Sequence, residues 1–488
     1  MSDRARAPLG DIPADELQAS IRRVADWATE YRMTVAERAI MPSVQPGDIA
    51  LRLGAAMPAH GDSMDAILDD LDTVIMPGIL HWGHPTFLGY YGSTSNGPAL
   101  VGEIAAAALN VSAMTWKTSP AATELEATVL AWIRDLLGLS ENLFGVVYDT
   151  ASVALLHALA AAREASTPNV RSHGLSGAAA LRVYASEQAH SSLVKAMVML
   201  GLGAENVVRV PTDDAFRMDA GMLRAAMVRD AAMGLRPMAV VATVGTTSCA
   251  SVDPVAHIAA ICQEWNVWLH VDAAYGGALA ALPEARWILD GLDTADSIIV
   301  NPHKWLFVPL DFSVLYLRHP DIMRTLFMET PEYLEGDAQP ASQRLAPDYM
   351  DYGIQLGRRF RALKAWMVLR AFGHDGISAR IREHCRLAAM VAEWVEATPE
   401  FELIAPLSMA VVCFRHSPAG ESVHDGNARN IAIVNAVNAT GAAYLTYTSL
   451  NGKTCMRIGV GNIATTEQHI RQLCGLLTAE ARRSREDA

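Results

Sequence analysis

A lysine, a carboxylate, an imidazole and two small-hydroxyl turns are the residues of this sequence best suited to chemistry. Lys304 stands in SIIVNPHKWLFVP (297–309), where Ile298, Ile299 and Val300 run into a turn at Asn301-Pro302 and a second apolar run follows at 305–308. That pattern predicts a buried strand ending at a turn. A lysine flanked by Pro, His, Trp, Leu and Phe is partly desolvated, which disfavours its ammonium form and lowers its pKa. A neutral amine there is a nucleophile for carbonyls. The ordinary alternative is a lysine whose stem lies on apolar surface while its head stays in water.

The elements that would position this lysine begin near residue 143. Short apolar strands at 144–147, 181–185, 239–244, 267–271, 298–300 and 313–317 alternate with helical stretches at 152–164, 191–202 and 255–265. Such alternation predicts a mostly parallel sheet covered on both faces, with ligands at the carboxyl ends of its strands. Read at those ends, the chain offers Thr150-Ala151-Ser152 at a helix start, where free N–H groups favour a phosphate. It then offers His190, the turn Gly245-Thr246-Thr247, Asp272 within HVDAAYGG, and Lys304. Taken singly, each has a plain explanation as a cap, a turn residue or a satisfied histidine. Together they match one ligand: pyridoxal phosphate requires an amine for its aldehyde, a carboxylate for its ring nitrogen, a flat group on its ring and a phosphate cradle.

The remaining chain sets bounds. A length of 488 residues suits two or three domains, or one large α/β domain with appendages. A net charge of -14 without a basic block argues against nucleic acid or an anionic membrane as a partner. Six scattered cysteines without a CxxC pair suggest reduced thiols and no zinc site. No apolar run approaches the ~18 residues needed to span a bilayer, and the N-terminus lacks a signal-peptide core, so a soluble, cytoplasmic protein is expected. Helices are expected over 15–32, with a possible Asp15 cap, and over 63–76. Further helices are expected at 100–108, 119–137, 358–372 and 377–398. The stretch 82–97 reads as a pocket-lining loop, 325–352 as a mobile lid, and the end of the chain as a small α+β domain.

NPHKW, HVDAAYGG, SEQAHSS (186–192) and QLGRRFRALKAW (355–366) together resemble the group II pyridoxal-phosphate-dependent decarboxylases, the aromatic-L-amino-acid decarboxylase family. The resemblance runs from PSVQPGD and IMPGILHW to about Phe372 and is weakest beyond it. It implies the α/β fold type I of pyridoxal-phosphate enzymes, with an N-terminal helical dimerisation segment (1–85), a large cofactor-binding domain (86–372) and a small α+β domain (373–488). It further implies a homodimer with shared active sites. By the same resemblance Lys304 condenses with the cofactor's aldehyde, Asp272 pairs with its ring nitrogen and His190 stacks on its ring. Thr150, Ala151, Ser152 and Asn301 would hold the phosphate, and Thr246, Ala274 and His303 would complete the wall. Tyr333, in PEYLEG, matches the loop tyrosine that protonates the substrate carbon; related aromatic aldehyde synthases carry Phe there.

The expected substrate is an aromatic L-amino acid of the Trp, DOPA, Tyr or Phe type, converted to its amine and carbon dioxide. Trp82, Tyr90 and Tyr91 offer aromatic walls, and no arginine in that loop awaits a second carboxylate. Gly357 falls where relatives that accept indole have Gly. Ser93 and Thr150 could bond ring hydroxyls. The chain departs from the family's pattern at Gly92, Leu310, Ser112 and Met114, which leaves the side-chain preference open, with Leu310 and Met114 as expected walls. Asp149 replaces the usual Gly beside the phosphate cradle, where its charge repels phosphate unless it turns away. An aldehyde synthase is the alternative activity.

Overall fold

Uninterrupted aliphatic strands can sit only where both faces are covered, and the long runs of this chain do so. The computed structural model describes residues 10–92, 95–329 and 346–486. Seven strands form the main sheet: β1 Phe144–Tyr148, β2 Leu181–Ser186, β3 Val207–Val210, β4 Arg236–Thr243, β5 Trp268–Asp272, β6 Ser297–Val300 and β7 Ser313–Leu317, in the order β1-β7-β6-β5-β4-β2-β3. Strands β6, β5, β4, β2 and β3 run parallel, while β7 is antiparallel to both β6 and β1. The carboxyl ends of β1, β2, β4, β5 and β6 therefore share one edge, as the strand–helix alternation predicts. Every residue of β6 and β7 is buried, in keeping with helices on both faces.

A second sheet, β8 Phe401–Leu403, β9 Val411–His416, β10 Thr446–Leu450 and β11 Lys453–Gly459, is antiparallel throughout in the order β10-β11-β9-β8. Helix Val423–Ala439 packs on it, and helix Glu467–Glu486 packs against that helix. The stretch 82–97 is not purely a loop: Leu88 N–H donates to Tyr444 O (2.9 Å), Tyr444 N–H to Thr86 O (3.1 Å) and Gly459 N–H to Leu88 O (2.8 Å), which joins it to the small sheet.

The two helices expected over 358–372 and 377–398 are present within Ala362–Ala397, separated by a kink at Gly373, whose φ of 62° suits glycine. The first helix is Ala14–Thr34, with Pro13 as its N-cap; Asp15 lies inside the first turn and is not the cap. Leu17, Ile21 and Val24 on this helix remain exposed. Of the expected lid, residues 325–327 end a helix, Pro320–Phe327, and 330–345, which include Tyr333, lie outside the described residues. Among the described residues no helix is long and apolar enough to cross a membrane.

Candidate active site

Strand β6 ends at Val300, and Asn301-Pro302 turns the chain into a single helical turn, Pro302–Trp305, that carries His303 and Lys304. Lys304 Nζ stands 4.9 Å from the centre of the Tyr91 ring. Burial pushes its ammonium pKa down; Asp272 opposes that shift and the Arg457 cation adds to it. His190 is likewise held below the ordinary imidazole range by burial, with Asp272 raising and Lys304 lowering it further. The amine, the carboxylate and the imidazole are thus close enough to feel one another's charge. His190 Nδ1 accepts from Ser192 N–H (3.2 Å) and lies 2.8 Å from Ser192 Oγ. His303 Nδ1 accepts the Phe312 N–H (3.0 Å), and burial and the Lys304 charge take its pKa to about 3, so its imidazole is neutral.

Tyr91 is the floor beneath Lys304. Its hydroxyl donates to Thr246 O (2.8 Å) and its ring stacks on Tyr275 at 4.0 Å, which stacks on Trp305 at 4.8 Å. Arg457 lies on Tyr91 as well, 4.7 Å from the ring centre, and its guanidinium donates to Thr247 O, Ser248 O and Tyr90 O. Thr246 is fully buried, with Oγ1 accepting from Ser251 N–H (3.0 Å). Ala274 N–H donates to Asp272 Oδ1 (3.1 Å) and steadies the carboxylate.

A second cluster lies at the end of β1. Tyr148 pairs with Ser313 in the sheet register, and Ser313 Oγ donates to Asn301 Oδ1 (2.6 Å), which fixes the amide of Asn301. Asn301 is 2% exposed, and its Nδ2 donates to no described residue. Beside it the helix Ala151–Ser166 begins, and the amides of Ala151 and Ser152 belong to the first turn, which has no intrahelical acceptor. Asp149 does not turn away: its Oδ1 accepts the Thr150 N–H (2.6 Å) and lies 3.2 Å from the Thr150 hydroxyl.

The expected substrate walls are dispersed. Trp82 and Tyr90 stack on each other at 5.5 Å and pack with Phe87 and Tyr444, and no ring contact joins either to Tyr91 among the described residues. Leu310 is 66% exposed, and a Cβ at Gly357 would meet nothing within 4 Å. Met114 is half-buried, its carbonyl accepting from Met350 N–H (3.1 Å). Ser93 lies outside the described residues. Tyr275, Arg457 and Ser313 join the site from strand ends and from the small sheet; only Tyr275, inside HVDAAYGG, carried a signal in the sequence.

The model of the pyridoxal-dependent decarboxylase conserved domain matches residues 46–417. The chain belongs to the pyridoxal-dependent decarboxylase family. It is 37% identical over 481 residues to a phenylacetaldehyde synthase of Arabidopsis thaliana, covering 97% of each chain. It is 36% identical to tryptophan decarboxylase 2 of Oryza sativa subsp. japonica, covering 97% of this chain and 96% of that one. A crystal structure of the Oryza sativa tryptophan decarboxylase with pyridoxal phosphate and tryptamine superposes with a TM-score of 0.93 at 33% identity, covering 97% and 99% of the two chains. This enzyme is therefore a carboxy-lyase with the α/β fold and the cofactor of that family. Its own donors fit the cofactor: a desolvated amine, a carboxylate fixed by Ala274, and helix-start amides beside an Asn301 amide group that donates to no described residue.

Proposed function

We propose that this decarboxylase converts an aromatic L-amino acid to the corresponding amine and carbon dioxide. The observation that carries the reading is Lys304, desolvated above Tyr91 and within the field of Asp272 and His190. Pyridoxal phosphate, when bound, supplies an aldehyde for amines and a ring that accepts the electrons left when carbon dioxide departs. The chain's residues serve that chemistry. Lys304, its ammonium weakened by burial, is the amine that holds the aldehyde. Asp272 would hold a proton on the cofactor's ring nitrogen and so strengthen the ring as an electron acceptor. His190 would pack on the ring face, while Thr150, Ala151, Ser152 and Asn301 would bind the phosphate and Thr246, Ala274 and His303 would wall the pocket. Tyr333 delivers a proton to the substrate carbon that has lost its carboxylate.

The relatives named above support the aromatic class, as do Tyr90, Tyr91 and Trp82 with Gly357 as an open position. The dispersal of Trp82, Leu310, Met114 and Gly357 supports a homodimer in which the partner completes the pocket. Aldehyde synthesis is the second reading, favoured by the phenylacetaldehyde synthase; Tyr333 weighs against it. The test is product analysis with L-Trp, 5-hydroxy-Trp, DOPA, Tyr, Phe, His and Glu. Amine without peroxide is expected from at least one aromatic substrate, and activity on Glu alone refutes the aromatic pocket. Tyr333→Phe is expected to lower amine release by roughly 10²-fold, the usual worth of a positioned proton donor, and to raise aldehyde with peroxide. An unchanged product mixture refutes the role of Tyr333.

A further inference from the structure

The start of the helix Ala151–Ser166 carries a feature that works against its expected ligand. Thr150 is the N-cap residue, and its side chain caps no N–H of that helix. Its own N–H and hydroxyl, the first donors an anion would meet on reaching the helix, both face Asp149 Oδ1 at 2.6 and 3.2 Å. Asn301, whose amide is oriented by Ser313 opposite the end of β1, is of the other kind: its Nδ2 gives hydrogen bonds to no described residue. One side of the cluster is thus open to an anion and the other holds an anion already. The first titratable residue of that helix, His157, offers no relief, since burial takes it to about 4 and leaves it neutral.

We propose that Asp149 competes with the cofactor's phosphate for the donors of Thr150, so that this enzyme binds pyridoxal phosphate more weakly than its remaining site residues would allow. The inference rests on the cofactor reading above and adds to it a residue that sets cofactor retention. Two terms act in the same direction. The carboxylate must give up two hydrogen bonds or leave them standing in the phosphate's place, and its charge repels a phosphate dianion at close range. The holoenzyme fraction then follows the free cofactor concentration, where a Thr150 with free donors would stay saturated.

The test is titration of the apoenzyme with pyridoxal phosphate, followed by quenching of tryptophan fluorescence and by the rate of cofactor release after dilution. Asp149→Asn keeps the shape and removes the charge; Asp149→Ala also removes the acceptor. Both are expected to tighten pyridoxal phosphate about tenfold, the scale of one like-charge contact near a protein surface, and to slow its release. Affinity for pyridoxal, which lacks the phosphate, should change less than twofold. If Asp149 merely shapes the turn, Asp149→Ala will bind the cofactor more weakly than wild type, and that result overturns the proposal. Equal tightening of pyridoxal and pyridoxal phosphate overturns it too, because the phosphate is then not what Asp149 opposes. Failure of wild type and both variants to take up any pyridoxal phosphate refutes the cofactor reading itself.

Discussion

His303 shows how much burial alone decides at the scale of a residue. It adjoins Lys304, is 6% exposed, and has Nδ1 committed to the Phe312 N–H, so a proton there would cost both solvation and a hydrogen bond. Its pKa is about 3 in the folded chain against about 6.5 when unfolded. Between those values the unfolded chain binds the extra proton, so stability rises with pH across that window and is lost as pH falls through it. At pH 5 the gap of about 1.5 units amounts to about 2 kcal/mol. His157, His270 and His384, each near 4, act in the same sense. We therefore expect urea unfolding at pH 7.5 and 5.0 to show a smaller loss for His303→Asn than for wild type, by about 2 kcal/mol. Equal losses would mean that His303 is not held neutral. At this scale the residues legible in the sequence were those at or just past a strand end: Asp272, the last residue of β5, and Lys304 and His190 beyond β6 and β2. Tyr91 was legible as an aromatic wall but not as the ring under Lys304. Arg457 was not legible at all, since it reaches Tyr90 O across 367 positions of sequence. The charge of Asp149 was legible, and its direction was not.

The elements are locked together near the site by a buried ion pair. Glu126, from the helix Pro120–Leu137, meets Arg358 at 2.6 Å, with their side chains 3% and 9% exposed. The carboxylate also accepts the Val147 N–H of β1, and the guanidinium donates to Val147 O and Ala113 O. One pair thereby fixes the strand that leads to Asp149, the loop carrying Met114 and the segment carrying Gly357. Removing one partner leaves a buried charge uncompensated, so Arg358→Met is expected to cost about 3–5 kcal/mol in urea unfolding. Adding Glu126→Gln to that variant should restore part of the loss, because the stranded charge is gone. A single-variant cost below about 1 kcal/mol would show that the pair is not needed to hold these elements. The strands flanking this lock were legible because each is an apolar run bounded by turns. Strand β3 was missed: it has four residues, lies at the sheet edge and exposes Arg209, so it presents no such run. The helix Val423–Ala439 was also missed, since asparagines and a glycine interrupt its apolar period. The pairing of 86–88 with the small sheet depends on partners more than 350 positions away and leaves no local pattern.

For the molecule as a whole, the decisive question is what covers its exposed apolar surface. Leu17 and Ile21 on the first helix are 42% and 49% exposed, and Val101, Ile104 and Leu109 on the helix Gly97–Leu109 are 58%, 44% and 58% exposed. Scattered apolar residues are ordinary on a monomer, but runs along one helix face mark contact surfaces. Polar links tie the first helix to its neighbours, among them Arg23 to Asp65 (2.9 Å) and Trp27 Nε1 to Asp72 (2.9 Å), while Leu17 and Ile21 on its apolar side stay exposed among the described residues. The proposed homodimer would satisfy both needs at once: a second copy would cover these faces and bring a wall to Leu310 and Gly357, which stand open among the described residues. Light scattering should then give a solution mass of twice 52.5 kDa. Leu17→Glu with Ile21→Glu places two charges on the covered face and should shift the mass toward 52.5 kDa while leaving the circular dichroism unchanged. That monomer should keep a desolvated Lys304, whose surroundings belong to one chain, yet lose amine formation by tenfold or more, because its substrate walls do not meet without the partner. A wild-type monomer with full activity would end the shared-pocket reading and return the substrate walls to one chain.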